Sequence, residues 1–167
     1  MTTTLIDGFN LSAEQVVAIA RDPSIKVGLA DSARAALEES RDYIEATWMH
    51  DEAPMMYSFN TGVGLLKDTR IKVEHIELFQ TQLIMAHAAG MGEPFSEEVS
   101  RATMLLRANA FASNYSAPRV EVLDRLLAFL NAGIHPVMPQ KGSVGASGDR
   151  RRWLTRRPPS PASTRRK

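Results

Sequence analysis

The chain has 167 residues, 44% hydrophobic and 23% charged, which suits one soluble globular domain or a piece of a larger one. It has no run of about 18 apolar residues to span a bilayer, no basic-then-apolar leader in Met1-Thr2-Thr3-Thr4-Leu5-Ile6-Asp7, and no cysteine for disulfides, thiolate metal sites or a thiol nucleophile. A cytoplasmic chain with no membrane partner is the expectation. The net charge of +1 conceals a step: residues 1–149 hold 12 Lys/Arg against 19 Asp/Glu, whereas residues 150–167 hold 8 Lys/Arg and no acid.

Leu11-Ser12-Ala13-Glu14-Gln15-Val16 predicts the first helix start. Ser12 is a natural N-cap, Gln15 completes a capping box, and Leu11 is placed to staple onto Val16. That helix stops near Asp22-Pro23. Asp31 is the expected cap of the next, in which Ala33, Leu37, Ile44 and Trp48 keep helical spacing, with Ala36 and Tyr43 beside them. The polar stretch Met49-His50-Asp51-Glu52-Ala53-Pro54 separates it from the loop Asn60-Thr61-Gly62-Val63-Gly64.

Ile76, Phe79, Leu83, Ala86 and His87 line one face of a third helix, predicted to end at Ala89-Gly90. Ser96 caps a fourth running to about Ser113, and a fifth spans roughly Arg119 to Asn131, closed by Gly133 and Pro136. No strand period and no internal repeat stands out, so the fold class expected is all-α. Residues 150–167, rich in arginine and proline, have no apolar period and are expected to stay disordered.

Gly142-Ser143-Val144-Gly145-Ala146-Ser147-Gly148-Asp149 is the segment that can carry unusual chemistry. A plain turn or a phosphate-binding loop would also use small residues. The phosphate-loop and dinucleotide patterns both fail, since neither Gly-Lys-Ser/Thr nor G-x-G-x-x-G occurs here. A further reading uses Ala146-Ser147-Gly148 itself. In a sharp bend the Gly148 nitrogen can attack the Ala146 carbonyl carbon, glycine being free of a side chain and tolerant of unusual backbone angles. Loss of water closes a five-membered ring, and dehydration at Ser147 leaves an exocyclic methylidene, an electrophile no unmodified side chain supplies.

Residues 142–149 resemble the signature of the histidine and aromatic amino acid ammonia-lyases, whose Ala-Ser-Gly becomes 4-methylideneimidazol-5-one. Three further segments match in order. Asp7-Gly8 with Leu11-Ser12 resembles the family's opening. Tyr57-Ser58-Phe59-Asn60-Thr61-Gly62-Val63-Gly64 resembles its Tyr-Gly-x-Asn-Thr-Gly-Phe-Gly loop, and Leu83 to Gly90 its Leu-x-x-Ser-His-Ala-x-Gly segment. The departures are Ser58 and Val63, where Gly and Phe are usual, and Asn114-Tyr115-Ser116-Ala117-Pro118-Arg119, a loose match to Gly-x-Ser-Gly-x-Arg.

The resemblance implies an N-terminal helical portion (1–149) of the lyase fold without its central long-helix bundle. It implies a prosthetic group built from Ala146, Ser147 and Gly148, a small amino acid as substrate, and a homotetramer in intact members. Tyr57 falls on the position of the base that removes the β-proton. A free phenol is a weak base at neutral pH, so that role needs surroundings favouring phenolate. Without the motif, a packed loop tyrosine would be the simpler reading. His87 sits where histidine and tyrosine lyases carry histidine and phenylalanine lyases an apolar aromatic, so it is expected to accept a hydrogen bond from a polar substrate side chain. Without the family, a satisfied helix histidine would be preferred. Asn60 and Gly64 are expected near substrate, Thr61 and Gly62 as supports that shape the loop, and Asp149 as an aid to ring formation. His50, His75 and His135 have no mutual metal-ligand spacing, so no metal is expected.

After Asp149 the family continues Leu-Ala-Pro-Leu-Ala-His, whereas this chain reads Arg150-Arg151-Arg152-Trp153-Leu154-Thr155. The coding string GAC CTG GCG CCG CTG GCT CAC, with its first T removed, translates as Asp-Arg-Arg-Arg-Trp-Leu-Thr. One lost base therefore accounts for residues 150–155, and the tail is read as a frameshift rather than a nucleic-acid-binding arm. The expected activity is elimination of ammonia from histidine, giving urocanate, or from a related aromatic amino acid, with this truncated chain inactive alone. The alternatives are a 2,3-aminomutase using the same prosthetic group, or a non-catalytic remnant that serves as an interaction fragment.

Overall fold

The computed structural model describes residues 3–142. Five α-helices make up about half of these residues: α1 (Ala13–Arg21), α2 (Asp31–Trp48), α3 (Val73–His87), α4 (Glu97–Ala112) and α5 (Val120–Asn131). The all-α expectation missed four short strands. β1 (Thr3–Ile6) pairs in parallel with β2 (Lys26–Leu29), Ile6 opposite Leu29. β3 (Met91–Pro94) pairs antiparallel with β4 (Pro139–Lys141), Met91 opposite Lys141. At three or four residues each, they are too short to establish a period, and proline or glycine interrupts three of the four.

The predicted capping box holds. Gln15 N donates to Ser12 Oγ at 3.3 Å, and Ser12 N donates to Gln15 Oε1 at 2.9 Å. Ser96 likewise caps α4, accepting from Val99 N at 3.3 Å. Two boundaries need correction. Asp31 is the first residue of α2 rather than its cap; Ala30 holds the cap position with no side-chain bond, and Asp31 acts as a negative charge at the positive helix end. α3 ends at His87, three residues before the predicted Gly90, because Ala88 already leaves helical geometry (φ −79°, ψ 60°).

The core is built from β1, β2, α1, α2, α4 and α5. Ile6, Ile19, Val27, Leu37, Met104, Leu105, Leu123, Leu127 and Leu130 are buried in one cluster. Burying each such side chain is worth about 1.5–3 kcal/mol. Arg101 lies inside this core and ties two helices together. Its Nε and Nη2 donate to the carbonyls of Ala20 (3.1 Å) and Ile19 (2.9 Å), and its Nη1 to Leu130 (3.1 Å). These are last-turn carbonyls of α1 and α5, which lack helical partners and carry the negative end of each dipole. One cation therefore serves both helix ends.

Gly8 fixes where the N-terminal segment meets α4. Its N–H donates to Asn109 Oδ1 at 3.0 Å, its φ is +95°, and a Cβ there would lie 2.3 Å from the Ser113 nitrogen. No other residue type fits this approach. Residues 49–95, with α3 in the middle, contribute nothing to the core cluster.

Candidate functional site

The loop after α2 is organised by Asn60, which is 1% exposed. Its Nδ2 donates to the carbonyls of Trp48 (2.9 Å) and Pro54 (3.0 Å), and its Oδ1 accepts from Met56 N (2.7 Å). Its own carbonyl accepts from Ile71 N at 2.9 Å. The amide is thus spent on the loop, as an unmade bond at a buried amide would be costly. Thr61, 3% exposed, accepts from Ser58 N (3.2 Å) and donates to the Gly62 carbonyl (3.0 Å). Gly62 is needed for space, since a Cβ would fall 2.6 Å from Leu66 Cβ and 2.7 Å from its carbonyl oxygen. Gly64 is needed for conformation, with φ +60° and open space around it.

This framework presents Tyr57 outward. It is 58% exposed, and its hydroxyl has no hydrogen-bond partner among the described residues. The loop's apolar support comes from Phe59, stacked at a tilt on Trp48 with ring centroids 5.6 Å apart. An open cleft of about 640 Å³ beside it is lined by Tyr43, Trp48, Met56, Phe59, Asn114 and Tyr115, among others. Neither Tyr57, Asn60 nor His87 lines that cleft.

His87 closes α3. Its Nδ1 lies 2.7 Å from the Leu83 carbonyl, and since a carbonyl can only accept, Nδ1 carries a proton, so that in the neutral ring Nε2 is the acceptor. The Asn60 loop is anchored at the opposite end of the helix. Besides the Ile71–Asn60 bond, Asp51 Oδ1 accepts from Val73 N at 2.9 Å, capping α3 where Lys72 offers no side-chain bond. α3 is about 22 Å long at 1.5 Å per residue. No hydrogen bond or ring contact among the described residues joins Tyr57 to His87. Asp51 was not singled out in the sequence, because it caps a helix 22 residues away and no local pattern reports that.

The β3–β4 pairing is the link to the small-residue segment. Lys141 sits opposite Met91, four residues past His87, and Gly142 follows. The strand therefore carries the chain to the start of the segment next to the His87 end of α3. Ala146, Ser147, Gly148 and Asp149 themselves lie outside the described residues, as does the basic stretch 150–167.

All three non-glycine residues described with positive φ fall on positions where the resembled patterns carry glycine: Ser58 (67°), Asn114 (64°) and Ala117 (37°). The backbone here adopts the left-handed conformation that glycine accommodates most easily, although none of the three residues is glycine. Asn tolerates it well, whereas Ser and Ala are strained there. Asn114 Nδ2 donates to the Ala36 carbonyl (2.9 Å) and to Ser40 Oγ (2.7 Å), holding this turn on α2.

Residues 11–151 match the family model for aromatic amino acid lyases. The chain belongs to the aromatic amino acid lyase family. It is 45% identical over 145 residues to a histidine ammonia-lyase of Gloeobacter violaceus, covering 87% of this chain and 28% of that one. It is 56% identical over 94 residues to a histidine ammonia-lyase of Geobacillus thermodenitrificans, covering 56% and 19%. Among solved structures, the tyrosine aminomutase from Streptomyces globisporus superposes with a TM-score of 0.78 at 30% identity, covering 85% of this chain and 26% of that one. The histidine ammonia-lyase from Trypanosoma cruzi superposes at 0.73 and 27%, covering 92% and 29%. The chain thus spans between a fifth and three-tenths of these relatives' length. Among the described residues no helix is long and apolar enough to cross a membrane, and no group of three His, Asp or Glu could hold a metal ion.

Proposed function

We propose that residues 1–149 are the N-terminal portion of an ammonia-lyase that converts L-histidine to urocanate, and that the 167-residue chain is inactive alone. The supporting observation is the β3–β4 register, which sets Lys141, the residue before the Gly142–Asp149 motif, opposite Met91, four residues past His87. The triad has the chemistry to become 4-methylideneimidazol-5-one: a carbonyl at Ala146, a dehydratable hydroxymethyl at Ser147 and an unsubstituted α-carbon at Gly148. When formed, that group supplies the electrophile that activates the substrate amine as a leaving group.

The chain's own residues do the rest of what is proposed here. His87 Nε2 accepts a hydrogen bond from the N–H of an imidazole or the O–H of a phenol, since its Nδ1 proton is committed to Leu83. Tyr57 Oη, as its phenolate, takes the β-proton and becomes the neutral phenol, its side chain held out by the Asn60–Thr61 framework. Two helix-separated residues must meet on one small substrate, so the Tyr57 loop has to swing along α3, or the remaining three-quarters of an intact lyase must reshape it. Intact members are expected to assemble as homotetramers around a long-helix bundle, with a small amino acid as ligand and no nucleic acid.

The experiment compares the 167-residue chain with a chain in which residues 1–149 are joined to the remainder of a similar histidine ammonia-lyase. Urocanate and ammonia should come only from the joined chain, fall to background with Ser147→Ala, and drop about 10²–10⁴-fold with Tyr57→Phe. A folded joined chain that is inert, or one indifferent to Ser147→Ala, refutes the reading. The similarity to tyrosine aminomutase keeps a second reading in play, and a β-amino acid among the products would decide for it.

A further inference from the structure

The Tyr57 loop contributes nothing to the core cluster, so polar ties must fix it, and one cation draws them together. Arg70 lies in the lead-in to α3. Its backbone pairs antiparallel with Thr61, between the bonds from Gly62 N to the Thr69 carbonyl and from Ile71 N to the Asn60 carbonyl, each 2.9 Å. These hold the limb that leaves the Tyr57 tip. The Arg70 side chain crosses to the limb that enters it, where Nη2 donates to the Ala53 carbonyl at 2.5 Å. Ala53 is 1% exposed. Both feet of the loop are therefore tied to a single residue.

Packing alone does not explain an arginine at this position. Arg70 forms no salt bridge among the described residues, and its Nη1 is buried with no hydrogen-bond partner among them. A buried charged donor left unmade is destabilising, and an apolar side chain of similar volume would fill the space without that cost. What the guanidinium supplies is a charge-assisted bond to Ala53, stronger than one from a neutral donor. We infer that Arg70 is a positioning residue for Tyr57, fixing the feet of the loop so that the tyrosine tip moves from a constant footing. The inference rests on the reading of Tyr57 as the base that removes the β-proton. A reacting group displaced by about 1 Å can cost about 100-fold in rate, so a footing that drifts is felt at the tip.

Amide hydrogen exchange of the full 167-residue chain tests the tie without any lyase activity. Arg70→Met keeps the bulk and removes the donor. The Gly62 and Ile71 amides should then exchange at least about tenfold faster, while the α4 amides of Leu105 and Ala108 stay unchanged and report an intact core. Arg70→Lys, still able to donate to the Ala53 carbonyl, should keep most of the protection. In the joined chain described above, Arg70→Met should lower kcat for histidine about tenfold or more, with KM held within about twofold. In the Tyr57→Phe background it should cost nothing further, because both substitutions remove the same step, whereas a merely structural loss would slow both backgrounds alike. Unchanged exchange in Arg70→Met, equal loss of protection in Arg70→Lys and Arg70→Met, or additive kinetic effects would each overturn the proposal. Protection lost in Arg70→Met while Tyr57→Phe leaves kcat untouched supports Arg70 as the tie and refutes Tyr57 as the base, so the two failures are read apart.

Discussion

His87 is locked by its own helix to Leu83, the residue one turn earlier, through a 2.7 Å Nδ1–H···O=C bond. The bond fixes both the tautomer and the ring's orientation, so that Nε2 is the only nitrogen free to meet a ligand. Replacing His87 by Phe in a full-length lyase carrying residues 1–149 removes that acceptor and keeps a flat ring. The ratio of kcat/KM for histidine over phenylalanine should fall by about tenfold or more, as losing a hydrogen bond built into a site typically does. An unchanged ratio would show that His87 does not read the substrate.

Gly8→Ala should be among the most damaging single substitutions in the described residues. The methyl would collide with the Ser113 backbone at 2.3 Å while sitting at φ +95°. Left-handed strain of about 1–2 kcal/mol and overpacking of about 1–3 kcal/mol add up, against a total stability of only about 5–15 kcal/mol. Urea titration of the variant should show a midpoint far below that of the parent, or no folded baseline at all.

The opposite substitution is favourable at Ser58 and Ala117. Both hold positive φ, so Ser58→Gly and Ala117→Gly relieve strain, less the extra unfolded-state entropy of glycine, for a net gain of about 0.5–1 kcal/mol each. Asn114→Gly should not help, because asparagine suits that conformation and its amide holds Ala36 and Ser40. Thermal melts of the three variants check this, and an equal response from all three would mean that strain is not what separates them.

Much of the fold was legible because its signals are local. The Ser12–Gln15 box, the Ser96 cap and the apolar spacing of α2 each lie within a few helical turns. The strands were not legible, since β1 finds β2 some 20 residues on and β3 waits for β4 beyond two further helices. The candidate site divides the same way. Tyr57, His87 and the 142–149 segment were visible as motifs. The work of Asp51, Arg101 and the Met91–Lys141 register depends on tertiary contacts that no window of sequence contains.

Arg101→Lys tests the double cap. Lysine keeps the charge but cannot fork to three carbonyls, so bonds worth about 1.5–3 kcal/mol each when charge-assisted are lost at α1, α5 or both. A destabilisation of about 2–4 kcal/mol is expected by chemical denaturation. A change under about 0.5 kcal/mol would mean that Arg101 is a passenger in the core.

Glu45 gives the described residues an acid-sensitive joint. Its carboxylate accepts from Arg41 Nε (2.7 Å) and Arg119 Nη2 (2.8 Å), and these bonds, Arg41's first, hold its pKa below the ordinary 4.5. A carboxyl depressed in the folded state stabilises fully above its ordinary pKa, and that contribution drains away as pH falls through the lower folded value. The Glu45→Gln variant should therefore lose stability at neutral pH and show a shallower decline below about pH 4.5. Identical acid limbs in the two proteins would place the titrating groups elsewhere, Asp7, Glu14 and Asp22 being the other depressed carboxyls.

Every described residue assigned a part in chemistry lies between positions 49 and 95, the segment that adds nothing to the core cluster. Such an arrangement creates two tiers of cohesion. The helices and strands around Leu37, Leu105 and Leu123 can hold together while the segment between them opens, so backbone amides in α3 exchange with solvent through a shallow excursion that leaves those of α4 untouched. Natural variation can then rework residues 49–95 with little penalty to folding, and a lesion in that segment need leave no trace in a melting curve.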